Sequence, residues 1–137
     1  MKEYEIFEHT ADIGIIAHGL TLEKAFENVA KGMFSIITNK GKIERKEKKI
    51  IEISREGDNE QLVVDFLSEL LYIHDVENYV FGEFNVKINN VLTAEAWGEK
   101  YNREKHGYGI EIKAVTYHLL AIKEDEKGFH ITVLFDI

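Results

Sequence analysis

Cysteine and long hydrophobic segments are what this sequence of 137 residues lacks most clearly. The absence of cysteine excludes disulfides, thiolate metal sites, iron–sulfur clusters and thiol nucleophiles. No apolar run approaches the roughly 18–20 residues that a membrane-spanning helix requires. The acidic N-terminal sequence MKEYEIFEH has no apolar signal core. The sequence therefore predicts a cytoplasmic protein without a membrane segment.

Positive charge is also scarce. The chain has 17 lysine and arginine residues against 25 aspartate and glutamate residues, which gives a net charge of −8 at pH 7. Because a field of this sign repels phosphate backbones, stable direct binding of nucleic acid is not expected. The charge suits a protein that binds a cation or a basic patch on a partner, although it also serves simple solubility.

Standard catalytic signatures are absent as well. The chain contains no dinucleotide fingerprint, phosphate-binding Gly-Lys-Ser/Thr loop, nucleophile elbow or His-Glu-x-x-His zinc motif. The six histidines are scattered singly along the sequence. A single histidine is more often a surface or core residue than a ligand, so no histidine marks a site by itself.

Short strands and two amphipathic helices account for most of the chain. Apolar residues at helical spacing after Thr21, a suitable N-cap, predict a helix over 21–38, and the spacing of Asp58 and Gln61 predicts a capping box for a helix over 58–78. Alternation and turn residues predict about seven strands within 4–8, 13–19, 48–54, 81–101 (folded about Asn89-Asn90), 107–125 and 128–137. The predicted fold class is α+β, with two helices packed on a mostly antiparallel or mixed sheet as a two-layer sandwich. Residues 1–137 are expected to form a single domain.

The link between the first two strands has an unusual composition. Hairpin turns usually contain glycine, asparagine or proline, which adopt turn dihedrals at low cost. Here the link is His9-Thr10-Ala11-Asp12, which supplies an imidazole, a hydroxyl group and a carboxylate. It is either a tight polar turn or one wall of a binding site.

The end of the sequence is the second unusual segment. The apolar strand ITVLF runs directly into Asp136, and Ile137 follows as the last residue. If the first and last strands are neighbours, Asp12, Asp136 and the carboxylate of Ile137 converge. Oxygen donors of this kind suit a hard divalent cation such as Ca²⁺ or Mg²⁺. The alternative is that Asp12 caps a turn and Asp136 pairs with a lysine.

The segment EIKAVTYHLL, residues 111–120, provides further candidates. Strand alternation divides its side chains between two faces, with Lys113, Val115 and Tyr117 on one and Ala114, Thr116 and His118 on the other. A face that carries threonine and histidine is polar for a core and is a candidate wall of a site. Lys113 is either functional or an exposed lysine on the sheet.

Four segments taken in order resemble the archease family: EHTADIGIIAHG, DFLSELLYIHD, EIKAVTYH and the final FDI. The resemblance extends over almost the whole chain. It implies a small α+β cytoplasmic protein that is not an enzyme itself but a cofactor of the RtcB-type tRNA-splicing RNA ligase. That partner uses GTP and a divalent metal to join RNA ends bearing a 3′-phosphate or a 2′,3′-cyclic phosphate to a 5′-hydroxyl. The cofactor promotes guanylylation of the ligase histidine, allows repeated turnover and broadens the nucleotide accepted.

The resemblance also implies a metal site. The aspartate of the HTAD motif corresponds to Asp12, the penultimate aspartate to Asp136 and the C-terminal residue to Ile137. These three residues are expected to bind a divalent cation, with Ca²⁺ as the first choice and Mg²⁺ or Mn²⁺ as alternatives. They are the same three that charge and position suggested.

Three further residues correspond to the remaining motifs: His9, Lys113 and His118. We expect them beside the ligands or on the surface that faces the partner. Two other functional classes remain open. One is a small metal-dependent phosphoester hydrolase, in which His118 is the candidate general base. The other is a general chaperone or adaptor for RNA-modifying enzymes, which would bind several partners through an apolar patch.

Overall fold

The computed structural model describes residues 2–137. Within this range there are seven strands and three helices, and no helix is long and apolar enough to cross a membrane. The strands are β1 (Tyr4–His9), β2 (Asp12–Gly19), β3 (Glu47–Ser54), β4 (Tyr79–Ile88), β5 (Val91–Lys100), β6 (Ala114–Asp125) and β7 (Gly128–Asp136). The helices are α1 (Leu22–Ile37), α2 (Asn59–Glu77) and the short α3 (Arg103–His106).

The strands form two sheets, one with the order β1-β2-β7-β6 and the other with the order β3-β5-β4. Every pairing is antiparallel. Helix α1 contacts β2 and β7 of the first sheet and β4 of the second, while α2 contacts β6 of the first sheet and β3 and β4 of the second. The apolar sides of the helices and of both sheets form one hydrophobic core. The predicted α+β class is confirmed, with the strands divided between two sheets.

The N-termini of the two long helices are capped at the predicted residues. The hydroxyl of Thr21 accepts a hydrogen bond from the N–H of Lys24 at 3.1 Å, and the carboxylate of Asp58 accepts one from the N–H of Gln61 at 2.9 Å. The predicted capping box at Asp58 is only half formed. The side-chain amide of Gln61 donates to Asp65 at 2.8 Å instead of reaching back to Asp58.

The segment before β6 differs from its prediction as a strand. Strand β6 begins only at Ala114, because the N–H groups of Gly109 and Ile110 donate to the carbonyls of Ile37 and Ile36 at the end of α1. These bonds satisfy carbonyl groups that the last turn of a helix leaves without partners. The segment therefore fixes the C-terminal end of α1 instead of extending the sheet.

Strand β6 contains a large bulge with several extra residues. Thr116 pairs with Leu134 and Ala121 pairs with Thr132, so residues 117–120 face only one residue of β7. Within the bulge Leu119 has a φ of 59°, which is uncommon for a residue other than glycine. The alternation of faces predicted for 111–120 is consequently wrong beyond Thr116.

Candidate functional site

Strands β1 and β2 form a hairpin whose link contains the His9-Thr10-Ala11-Asp12 segment. His9 and Asp12 are paired across β1 and β2, which leaves Thr10 and Ala11 as a two-residue turn. Ala11 has a φ of 62°, a left-handed conformation that costs a non-glycine residue about 1–2 kcal/mol. The link is thus both a tight turn and a device that places an imidazole and a carboxylate directly opposite each other. The Nδ1 atom of His9 lies 3.9 Å from Oδ2 of Asp12.

Relief of this backbone strain gives a testable expectation. Ala11→Gly should leave the free energy of unfolding unchanged or raise it by up to about 1 kcal/mol, because glycine adopts a positive φ without steric cost. The matched control is Ala114→Gly in β6, where φ is not positive. This control should lower stability by about 0.5–1 kcal/mol. Urea unfolding of the two variants checks the expectation, and equal losses in both would contradict it.

The predicted convergence of the two aspartates is present. Asp12 and Asp136 are directly opposite each other in the pairing of β2 with β7. Their side chains therefore project from the same face of the sheet, about 5 Å apart at Cβ. Ile137 follows immediately, and it borders the same shallow cleft as Asp12. This cleft of about 380 Å³ is lined by Glu8, His9, Thr10, Ala11, Asp12, Ile13, Ile110 and Ile137.

Neither carboxylate has a lysine or arginine partner among the described residues. Among residues 2–137, neither Asp12 nor Asp136 forms an ion pair with lysine or arginine, so the alternative in which Asp136 pairs with a lysine does not hold. Lys113 meets Asp136 only through the backbone, where its N–H donates to the Asp136 carbonyl at 2.8 Å. Like charges directly opposite each other in a sheet are destabilising.

His118 joins the same site from the far edge of the sheet. Strands β1 and β6 are separated by β2 and β7, yet the ring centroids of His9 and His118 are 5.5 Å apart. Three strand spacings amount to about 14 Å, so a regular β6 would not reach. The bulge at 117–120 carries His118 across the outer face to His9.

The Nδ1 atom of His9 is buried and has no hydrogen-bond partner in the described chain. Buried polar atoms are rarely left unpaired, and an exception calls for an explanation such as a bound water or ion. The side chains of Asp12 and Asp136 beside it supply oxygen donors of the kind that a hard divalent cation prefers, and the carboxylate of Ile137 is the third donor expected from the sequence. No three histidine, aspartate or glutamate side chains of residues 2–137 surround a common point.

A second histidine pair lies at the other end of β2 and β7. His18 and His130 are cross-strand partners, and their Nδ1 atoms are 2.7 Å apart. Their Nε2 atoms are each 2.9 Å from a carboxylate, that of Glu5 and that of Asp125 respectively. Hydrogen bonding to His18 lowers the pKa of Glu5, and hydrogen bonding to His130 lowers the pKa of Asp125. No sequence pattern indicates this array, because only the register of β2 with β7 brings the two histidines together.

The whole chain is similar to proteins of one family. The model of the Archease protein family matches residues 4–137. Protein archease of Pyrococcus furiosus is 49% identical over 133 residues, which cover 93% of each chain. Protein archease of Sulfolobus acidocaldarius is 40% identical over an alignment of 141 positions, gaps included, which covers 100% of each chain.

Solved structures with the same fold support this similarity. The solution structure of protein 1598 from Methanobacterium thermoautotrophicum matches with a TM-score of 0.87 at 39% identity and covers 100% of both chains. The crystal structure of an archease, possible chaperone, from Thermotoga maritima matches with a TM-score of 0.66 and covers 96% of this chain and 94% of that one. Its identity of 23% supports likeness of fold alone.

Proposed function

The chain belongs to the archease family, and from this premise we propose that it is a non-catalytic, cytoplasmic activator of an RtcB-type tRNA-splicing RNA ligase. The observation that carries the proposal is the direct pairing of Asp12 with Asp136 at one end of β2 and β7, where neither aspartate forms an ion pair with a lysine or arginine of the described chain. A protein that delivers or arranges a cation for a partner needs accessible acidic oxygens. It needs no nucleophile or deep substrate pocket of its own.

The proposed metal ligands are Asp12, Asp136 and the carboxylate of Ile137, with Ca²⁺ as the first choice and Mg²⁺ or Mn²⁺ as alternatives. A divalent ion held there supplies positive charge that can offset phosphate charge during guanylylation of the ligase. The pairing of β2 with β7 fixes the distance between the two aspartates. The hairpin turn holds His9 beside Asp12, and the bulge of β6 places His118 against the His9 ring.

Activation is proposed to act on the ligase by selection of a conformation. A protein that binds one ligase conformation more tightly raises the population of that conformation. In this proposal the acidic edge, formed by Asp12 and Asp136, binds the ligase conformation that accepts a nucleotide. In this proposal the protein then leaves and acts again, so a substoichiometric amount is expected to be sufficient.

A chaperone or adaptor role is the second candidate, and exposed apolar side chains favour it. Tyr117 and Leu119 on the bulge are 58% and 50% exposed, and contiguous exposed apolar side chains are typical of protein–protein contact surfaces. An adaptor of this kind would bind several partners through this apolar bulge and would be indifferent to metal. The two roles therefore differ in their dependence on the aspartates.

Ligase turnover tests the proposed function. An RtcB-type ligase from the same source is mixed with RNA bearing a 3′-phosphate end, GTP and Mn²⁺, with and without a substoichiometric amount of this protein. We expect the RNA joined per ligase molecule to rise from about one to many, with faster formation of covalent ligase–GMP. Unchanged turnover would overturn the proposal. Phosphoester hydrolysis by the isolated protein would instead favour the hydrolase alternative.

A further inference from the structure

A row of four polar side chains crosses all the strands of the first sheet. It consists of Glu5 on β1, His18 on β2, His130 on β7 and Asp125 on β6, in the same order as the strands themselves. The row lies at the end of β2 and β7 that is farther from the paired aspartates. Neither the motifs of the sequence nor the proposed function uses it.

The contacts of the two rings fix where their hydrogens lie. An ionised carboxylate only accepts hydrogen bonds, so Nε2 of His18 donates to Glu5 and Nε2 of His130 donates to Asp125. In a neutral imidazole the other nitrogen then carries a lone pair. The two Nδ1 atoms face each other across 2.7 Å. A cation between them, either a proton or a metal ion, is therefore needed to hold this contact.

The same arrangement is typical of histidines that bind metal ions. Such a histidine usually donates its second ring N–H to a carboxylate, which fixes the tautomer and raises the basicity of the ligating nitrogen. Here both rings have such a carboxylate. The pairing of β2 with β7 holds the rings together without an ion, and the side chains of His18 and His130 are 14% and 20% exposed, so water can reach them. The pair therefore offers two preplaced nitrogen ligands with open coordination positions.

The charges around the pair also favour a cation. Hydrogen bonds from the histidines hold the pKa of Glu5 and the pKa of Asp125 below their usual range, so both carboxylates are ionised at neutral pH. Lys123 lies opposite His130 in the pairing of β6 with β7, but its side chain is exposed, where solvent screens its charge. The two carboxylates that contact the rings therefore outweigh this one ammonium group.

We propose that Nδ1 of His18 and Nδ1 of His130 together bind a divalent transition-metal ion such as Zn²⁺ or Cu²⁺. Imidazole nitrogens suit these ions, whereas carboxylate oxygens such as those of Asp12 suit Ca²⁺ and Mg²⁺. Zn–N bonds of about 2.0–2.1 Å in a tetrahedral site place two nitrogens about 3.3 Å apart, so the rings must move slightly apart from 2.7 Å. No third histidine, aspartate or glutamate of residues 2–137 joins the pair, and water fills the other positions.

The test is an NMR titration of the whole natural chain with ZnCl₂ that follows the ring nitrogens of every histidine. We expect the Nδ1 signals of His18 and His130 to shift together and to saturate with one bound Zn²⁺, while both Nε2 atoms keep their hydrogens. EDTA should reverse the shifts, and Ca²⁺ should not produce them. Unchanged signals of His18 and His130, with or without shifts at His9 and His118, would leave only a proton between the two rings and overturn the proposal.

A variant of one carboxylate separates a specific site from general attraction of the ion to an acidic protein. Asp125→Asn keeps the shape of the side chain but weakens the bond that orients His130, and loss of such a partner costs about 10–100-fold in metal affinity. The matched control is Glu124→Gln, which removes the same charge from the adjacent exposed residue and should change the Zn²⁺ affinity little. Equal losses in both variants would reduce the binding to net charge and overturn the proposal. The titration of the natural chain does not depend on the folding of a variant.

Discussion

Replacement of Asp12 or Asp136 by asparagine is expected to abolish activation of the ligase and to leave the fold intact. Asparagine keeps the shape of the side chain, and the pairing of β2 with β7 uses only backbone groups at these positions. The substitution removes the negative charge that the proposed cation needs. Ligase turnover should fall to that of the ligase alone, with a corresponding loss of covalent ligase–GMP.

A second measurement separates the loss of a metal site from general damage. In the absence of divalent ions, each asparagine variant should be more stable than the natural protein by about 0.2–1 kcal/mol, because it removes a repulsion between carboxylates that face each other. Addition of Ca²⁺ should stabilise the natural protein by mass action but should have little effect on the variants. Urea unfolding with and without Ca²⁺ measures both differences.

Two further variants test the proposed ligands, one as a control and one as a change to Ile137. Glu8→Gln removes a charge from the same cleft without affecting a proposed ligand and should retain full activation. A chain extended by a few residues beyond Ile137 converts the carboxylate of that residue into a peptide group and should lose activation. Full activation by a folded Asp12→Asn, Asp136→Asn double variant would falsify the metal-site proposal.

The fold was largely predictable because its elements are long and periodic. Helices α1 and α2 were predictable from the spacing of their apolar residues and from their caps, Thr21 and Asp58. Each cap accepts its expected hydrogen bond. The meeting of Asp12 and Asp136 was predicted on the condition that the first and last strands are neighbours. In the structure the last strand, β7, pairs with the second strand, β2, and not with the first; the aspartates meet because Asp12 is the first residue of β2. Pattern alone does not give strand order, which depends on the packing of the whole domain.

The features that sequence did not reveal are local departures from regular structure. The bulge in β6 has no glycine to signal it, and its left-handed residue is Leu119. Without the bulge His118 cannot reach His9. The composition of the site therefore depends on a bulge that the alternation of residues in the sequence does not reveal. Helix α3 spans only Arg103–His106, which is too short to show periodicity. The residues that mark its two ends are Asn102, whose side chain caps the first turn, and Gly107, which has a φ of 73°.

Helix α3 also completes a buried charge network around Glu99 of β5. The Glu99 side chain is only 7% exposed and accepts hydrogen bonds from the Glu44 N–H at 2.7 Å, from the Lys105 ammonium at 2.9 Å and from Nε2 of His106 at 3.0 Å. Nδ1 of His106 accepts from the N–H of Asn102, which leaves the proton on Nε2. Burial acts to raise the pKa of Glu99, but these hydrogen bonds outweigh it and lower the pKa to about 2.

This network predicts a steep loss of stability in acid. A carboxyl group whose pKa is lowered on folding stabilises the protein above its unfolded value of 4.5, and this contribution is lost as the pH falls toward 2. The depression corresponds to about 3 kcal/mol. Glu99→Gln should therefore lower the free energy of unfolding at pH 7 by about 2–3 kcal/mol. The difference from the natural protein should shrink below pH 4, where Glu99 itself becomes protonated.

Urea unfolding at several pH values between 2 and 7 measures this effect, with Glu95→Gln as the matched control. Glu95 lies on the same strand, and its hydrogen bond to Lys48 lowers its pKa, but its side chain is 35% exposed. A surface ion pair of this kind contributes little to stability, so Glu95→Gln should leave the acid dependence nearly unchanged. A parallel acid dependence in the natural protein and in Glu99→Gln would contradict the assignment. Acid sensitivity would then have to come from the many exposed carboxylates, whereas we assign it to one buried group that holds the 101–111 loop to β5.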